Sequence, residues 1–183
     1  MLRHLPNLIS ALRLLAAPVA AWAILSGHDT AALILFVAAS FSDLADGFIA
    51  RHWGFSSQFG AWLDPIADKL LMFFAFIALW RVEAVPLWLV LLVIARDVGI
   101  MAGALAAKLL GLPVRIAPLA IGKATTAVLA VFVGARLLLL AFDMSAPHYV
   151  AAGSYTAAAF ILLSGAVYVL VFLKLLFGGR HAA

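Results

Sequence analysis

Long apolar runs alternate along the chain with short polar breaks. Crossing a bilayer as a helix takes about 20 mostly apolar residues. Six runs meet that length, at 7–25, 32–52, 60–81, 85–109, 117–141 and 149–177. The breaks are SGHDT at 26–30, HWGFSSQFG at 52–60, RVEAVP at 81–86, GLPVR at 111–115 and DMSAPH at 143–148, rich in the Gly, Pro, Ser and Asp that interrupt helices. The pattern predicts an all-α, polytopic membrane protein with six transmembrane helices, in one domain spanning 1–183. The sixth run is longer than a bilayer needs, so it is expected to tilt or to run along the interface at one end.

Composition agrees with that class. The chain has 183 residues, of which 67% are hydrophobic, and a mean hydropathy of +1.18, whereas a soluble domain is about half apolar. With no Cys, disulfides and thiolate metal sites are excluded. The net charge of +4 comes with no basic run or aromatic-studded loop, so no nucleic acid is expected as a partner. The basic residues instead mark topology and contacts to membrane lipids. Arg3, Arg51, Lys108, Arg115, Lys174 and Arg180 fall on one side; the loops of the other side offer only Arg81, with Arg136 near the outer end of the fifth run, where it is expected to snorkel. The first side is therefore predicted to be cytoplasmic, with both termini there, as for a bacterial inner-membrane protein. The N-terminus resembles a signal peptide, but Arg13 interrupts its apolar stretch and Pro6 and Asn7 precede it, so it reads as a first membrane helix. The five His lie near ends or loops without ligand spacing and are given no chemical role.

Charges inside the runs change the picture. Arg13, Asp43, Asp46, Asp64, Asp68, Lys69, Arg96, Asp97 and Lys123 nearly all fall in the predicted cytoplasmic halves. That depth suits a site open to the cytoplasm; a divalent-cation transporter or channel subunit, the reading from a different class, would carry polar groups at all depths. Asp43 and Asp46 share one helix face, as do Asp64 and Asp68. The short connection at 53–59 predicts that the second and third helices are antiparallel neighbours whose aspartates meet. Four carboxylates in a low-dielectric place would repel one another unless a cation joined them. Carboxylate oxygens suit Mg²⁺, Mn²⁺ or Ca²⁺, and the lack of His or Cys among the ligands argues against zinc. Gly47 and Gly60 leave room either for a ligand at the backbone or for close helix packing. Arg13 either holds the first helix by pairing with an aspartate or meets a substrate phosphate. Asp97 is expected to pair with Arg96 or Lys69.

The stretch Asp43-Leu-Ala-Asp46-Gly47-Phe-Ile-Ala50-Arg51, then eight residues, then Gly60-Ala-Trp-Leu-Asp64-Pro-Ile-Ala-Asp68 resembles the signature of the CDP-alcohol phosphatidyltransferase family, D-x-x-D-G-x-x-A-R, eight residues, G-x-x-x-D-x-x-x-D. Every defined position and the spacer agree. The resemblance extends to the six-helix layout and the opening LPNLISALRLLAAP. It implies transfer of a phosphatidyl group from CDP-diacylglycerol to an alcohol with release of CMP. It implies that Asp43, Asp46 and Asp64 hold Mg²⁺ or Mn²⁺, and that Asp68 borders the metal and acts as general base. Gly47, Ala50 and Gly60 would line the cytidine pocket, Asn7, Arg51 and Ser57 would lie near the nucleotide, and the protein would be a homodimer.

Two kinds of relative share this length. Those that use glycerol 3-phosphate tend to carry Ala-Arg-Glu in the fourth helix, with another Arg eight residues after the first, and Gly-Lys-Val-Lys-Thr in the fifth. This chain has Ala95-Arg96-Asp97, then Ala104, and Gly122-Lys123-Ala124-Thr125-Thr126. Two basic donors are missing. Arg96 and Lys123 suffice for a phosphodiester monoanion, so the expected acceptor is phosphatidylglycerol, giving cardiolipin; glycerol 3-phosphate, giving phosphatidylglycerophosphate, is the alternative.

Overall fold

The computed structural model describes the backbone of residues 5–53, 58–111 and 120–178 and the side chains of 11–42, 66–111 and 120–177. Each apolar run is one helix: α1 (Leu5–Leu25), α2 (Asp29–Trp53), α3 (Gln58–Arg81), α4 (Leu87–Leu109), α5 (Ala120–Ala141) and α6 (Pro147–Gly178). There is no strand among the described residues. Over those residues α4, α5 and α6 are long and apolar enough to cross a membrane, and the described parts of α1 and α2, Ala11–Leu25 and Asp29–Ser42, are apolar as well. Leu15, Ile34, Val131, Leu162 and Leu170 are each more than half exposed, an apolar surface suited to lipid rather than water. The protein is an all-helical membrane protein.

α1, α2, α3 and α6 start two or three residues earlier than hydropathy sets them, and two of these starts have a clear cause. α2 begins at Asp29, whose carboxylate favours the positive end of the helix dipole. α6 begins at Pro147, where a missing N–H costs nothing. The 32 residues of α6 span about 48 Å at 1.5 Å per residue.

Helix ends follow one device. α1 closes with Gly27 at φ 72, its N–H donating to the Ile24 carbonyl while His28 donates to Ala23. α3 closes the same way around Glu83 (φ 58), with Glu83 to Trp80 and Ala84 to Leu79. α5 does so around Asp143 (φ 51). These crossed bonds satisfy carbonyls that have no partner within the helix. The turn after α3 has a second tie, because Arg136 on α5 donates Nε to the Ala84 carbonyl at 2.8 Å. Arg136 therefore does not simply snorkel: it holds the turn at the buried Ala84.

The chain forms two compact units, Met1–Pro86 with Val133–Pro147, and Leu87–Phe132 with His148–Ala183. In the first, α1 packs along α3 and α2, whereas α2 and α3 touch only slightly among the described residues. α1 is thus a common neighbour of both; the ends of α2 and α3 that the short connection would bring together lie outside the described side chains. α1 can approach closely because its buried line is Arg13, Ala17, Ala20, Ala21 and Ile24, mostly small. In the second unit, α4 meets α6 through the stacked rings of Trp88 and Tyr155, 5.8 Å between centroids. α5 meets α6 where Phe132 lies 3.0 Å from the point a Cβ on Gly153 would occupy.

Glu83 is exposed and sits in the left-handed region that favours glycine. Glu83→Gly is expected to raise the thermal midpoint in detergent, by relieving about 1 kcal/mol of backbone strain, and Glu83→Val to lower it.

Candidate functional site

The buried line of α2 is Ala32, Phe36 and Ala39, all at most 6% exposed. Carried forward at helical spacing it passes through positions 43, 46 and 50, which are Asp43, Asp46 and Ala50. The buried line of α3 is Leu79, Ala75 and Leu71. Carried back, it passes through Asp68, Asp64 and Gly60. The acidic positions therefore continue the two lines along which α2 and α3 are buried, on unbroken helix in each case.

Asp68 is half-buried, immediately after the fully buried Ala67. The side chains of Asn7 on α1, of Asp43, Asp46, Gly47, Ala50 and Arg51 on α2, and of Gly60 and Asp64 on α3 lie outside the described residues, as does Ser57 altogether. The donor set these positions supply, carboxylates alone, fits a hard divalent cation. Asp43, Asp46, Asp64 and Asp68 would hold it, and it would supply neutralisation of phosphate oxygens.

Arg13 is the feature of this unit that hydropathy does not foretell. It is 2% exposed, among the largest fully buried side chains. Its Nη2 reaches Ser42 Oγ at 3.5 Å, and Ser42 Oγ in turn donates to the Ala39 carbonyl at 2.7 Å. Ser42 immediately precedes Asp43, so α1 delivers a buried cation to the start of the acidic stretch.

The second unit holds its own polar cluster. Arg96 on α4 donates Nη1 to Asp97 Oδ1 at 2.7 Å and Nη2 to Ser164 Oγ on α6 at 3.2 Å. The Arg96–Asp97 partnership expected from sequence is present. Lys123, on the first turn of α5, is exposed and has no ion-pair partner among the described residues. Thr125 is fully buried; its hydroxyl lies 2.8 Å from the Ile121 carbonyl and 3.2 Å from that of Phe160 on α6. That position is committed to joining α5 and α6. Sequence reasoning missed Ser42, Ser164 and Tyr168, all in apolar stretches that read as lipid-facing or packing surface; their spacing carries no signal, because their partners come from other helices.

Comparison with known proteins places this arrangement. The family model of CDP-alcohol phosphatidyltransferases matches residues 3–177. A probable phosphatidylglycerophosphate synthase of Mycobacterium tuberculosis is 35% identical over 98% of this chain and 87% of its own. A cardiolipin synthase (CMP-forming) of Rattus norvegicus is 34% identical over 79% of this chain and 51% of its own, so the match covers about half of that relative. A CDP-diacylglycerol–glycerol-3-phosphate 3-phosphatidyltransferase of Cereibacter sphaeroides is 42% identical over 51% of this chain and 46% of its own.

Arg13→Ala is expected to lower stability by about 3 kcal/mol, through the cavity and the lost contacts of a fully buried side chain. Arg13→Lys should recover part of it, read as thermal midpoints in detergent. Equal midpoints for all three proteins would show that Arg13 holds nothing.

Proposed function

Because the chain belongs to the CDP-alcohol phosphatidyltransferase family, we propose that it joins the phosphatidyl group of CDP-diacylglycerol to phosphatidylglycerol, forming cardiolipin and releasing CMP. The coarser statement needs no proposal: this is a membrane transferase of phospholipid biosynthesis that uses a CDP-linked donor and an alcohol acceptor. As an enzyme of this family it gives no reason to keep the ion-transport reading.

In the proposed reaction, a glycerol hydroxyl of the acceptor attacks the phosphorus that carries the diacylglycerol. The new P–O bond forms as the bond to CMP breaks. Asp68 takes the hydroxyl proton, and a carboxylate within hydrogen-bond reach is a competent base. Asp43, Asp46, Asp64 and Asp68 hold Mg²⁺ or Mn²⁺, which supplies charge neutralisation at the phosphates. Asn7, Gly47, Ala50, Arg51, Ser57 and Gly60 receive the nucleotide. Arg96 and Lys123 receive the acceptor phosphate. The protein works as a homodimer in a bacterial inner membrane, with both termini in the cytoplasm.

The observation that carries the choice of acceptor is Thr125. Its hydroxyl is buried against the backbone of α5 and α6, so the position offers no donor to an anion. Ala104 likewise offers none. A phosphomonoester dianion calls for several basic donors, whereas a phosphodiester monoanion is matched by fewer. The second reading, synthesis of phosphatidylglycerophosphate from glycerol 3-phosphate, is favoured by the mycobacterial relative, which matches nearly the whole chain.

Purified protein supplied with CDP-diacylglycerol and Mg²⁺ or Mn²⁺ is expected to form cardiolipin from phosphatidylglycerol. Product only with glycerol 3-phosphate would transfer the assignment to the second reading. Asp68→Asn is expected to cut turnover by at least about 100-fold while CDP-diacylglycerol still binds within a few-fold. Full activity in that variant would remove Asp68 from the role of base.

A further inference from the structure

Arg96 is a buried cation with an idle donor. Its side chain is 8% exposed. Nη1 is engaged by Asp97 and Nη2 by Ser164, while Nε is buried with no acceptor among the described residues. Burying an N–H without a partner is unfavourable, and a guanidinium fork is shaped for carboxylate or phosphate oxygens.

The groups around it have a common centre. At Gly122, the point a Cβ would occupy lies 2.7 Å from the Tyr168 hydroxyl and 3.5 Å from Arg96 Nη2. Glycine here is what lets the hydroxyl and the guanidinium come together over the first turn of α5. Ser164 and Tyr168 are four residues apart on α6 and share a face, so one helix both orients the guanidinium and adds a second hydroxyl beside it. Lys123 follows Gly122 directly.

We propose that Tyr168, gathered with Arg96 and Ser164 over Gly122, is a further residue of the place where Arg96 receives the acceptor phosphate, its hydroxyl donating to a phosphate oxygen. This deepens the proposed function and rests on it for the identity of the acceptor. Charge decides which phosphate the subsite takes. Asp97 offsets the charge of Arg96, and Lys123 adds one positive charge, so the subsite matches a singly charged phosphodiester better than a doubly charged phosphomonoester. Tyr168 is then a specificity-determining residue: its neutral hydroxyl adds a hydrogen bond without adding charge.

The test uses water-soluble headgroups, so that binding is separated from turnover. Glycerophosphoglycerol carries the phosphodiester and glycerol 3-phosphate the phosphomonoester. Thermal stabilisation of the purified full chain in detergent is measured against the concentration of each. The wild type is expected to respond to glycerophosphoglycerol at lower concentration than to glycerol 3-phosphate. Tyr168→Phe keeps the ring and should keep the unliganded midpoint, but should need about tenfold more ligand, the loss of one hydrogen bond to a charged group. Gly122→Ala should weaken binding similarly by displacing the hydroxyl. In the double variant the clash is gone, so it should bind no worse than Tyr168→Phe alone, a non-additive pair. If Gly122→Ala does not fold, Tyr168→Phe alone decides. The proposal is overturned if neither headgroup stabilises the wild type, if glycerol 3-phosphate is preferred, or if Tyr168→Phe binds as tightly as the wild type. A wild type that binds glycerophosphoglycerol but makes no cardiolipin contradicts the proposed function and leaves the subsite standing.

Discussion

A carboxylate carried on an apolar helix needs positive charge close by, because the surroundings that exclude water also make an unmatched charge costly. The first unit is organised around that need. The acidic positions of α2 and α3 continue, at helical spacing, the lines along which the described parts of those helices are buried. α1 answers part of the demand, bringing the buried Arg13 to Ser42, next to Asp43. The proposed divalent ion would add further positive charge at the aspartates. The small residues of α1 belong to the same solution, since close packing on α3 and α2 is what allows a helix this apolar to carry a buried cation to that place.

The second unit handles charge by a different rule. Arg96 is not left to find a substrate alone; Asp97 and Ser164 fix its plane before any ligand arrives. Preorganised donors of this kind avoid rearrangement when the reacting charge appears. Thr125 shows the reverse commitment. Where a lysine would offer a mobile charge, a buried hydroxyl joins α5 to α6. A single position thus exchanges electrostatic reach for helix contact, and the proposed choice of a monoanionic acceptor follows from that exchange.

The six helices were legible in the sequence because length and hydropathy alone determine whether a run can be a membrane helix. Their ends were less so. Asp29 and Pro147 belong to helices although they look like breaks, because a helix start favours an acid or a proline. Glu83 and Asp143 take the left-handed turn usually left to glycine, which no hydropathy pattern shows. Of the candidate site, the spacing of the aspartates was readable from the chain because it is a local, helical periodicity. The partner of Arg136 and the gathering of Tyr168 with Arg96 over Gly122 were not, because each joins residues far apart in sequence.

The central claim is that the aspartates of α2 and α3 hold a divalent ion. Electron paramagnetic resonance of Mn²⁺ titrated into the purified full chain measures this directly, since bound and free Mn²⁺ differ in spectrum. The account predicts that the unaltered protein removes Mn²⁺ from the free signal and that Asp46→Asn, with its fold intact, does so at least about tenfold more weakly. Mn²⁺ that stays free in the presence of the unaltered protein, or that binds equally well to Asp46→Asn, would contradict it.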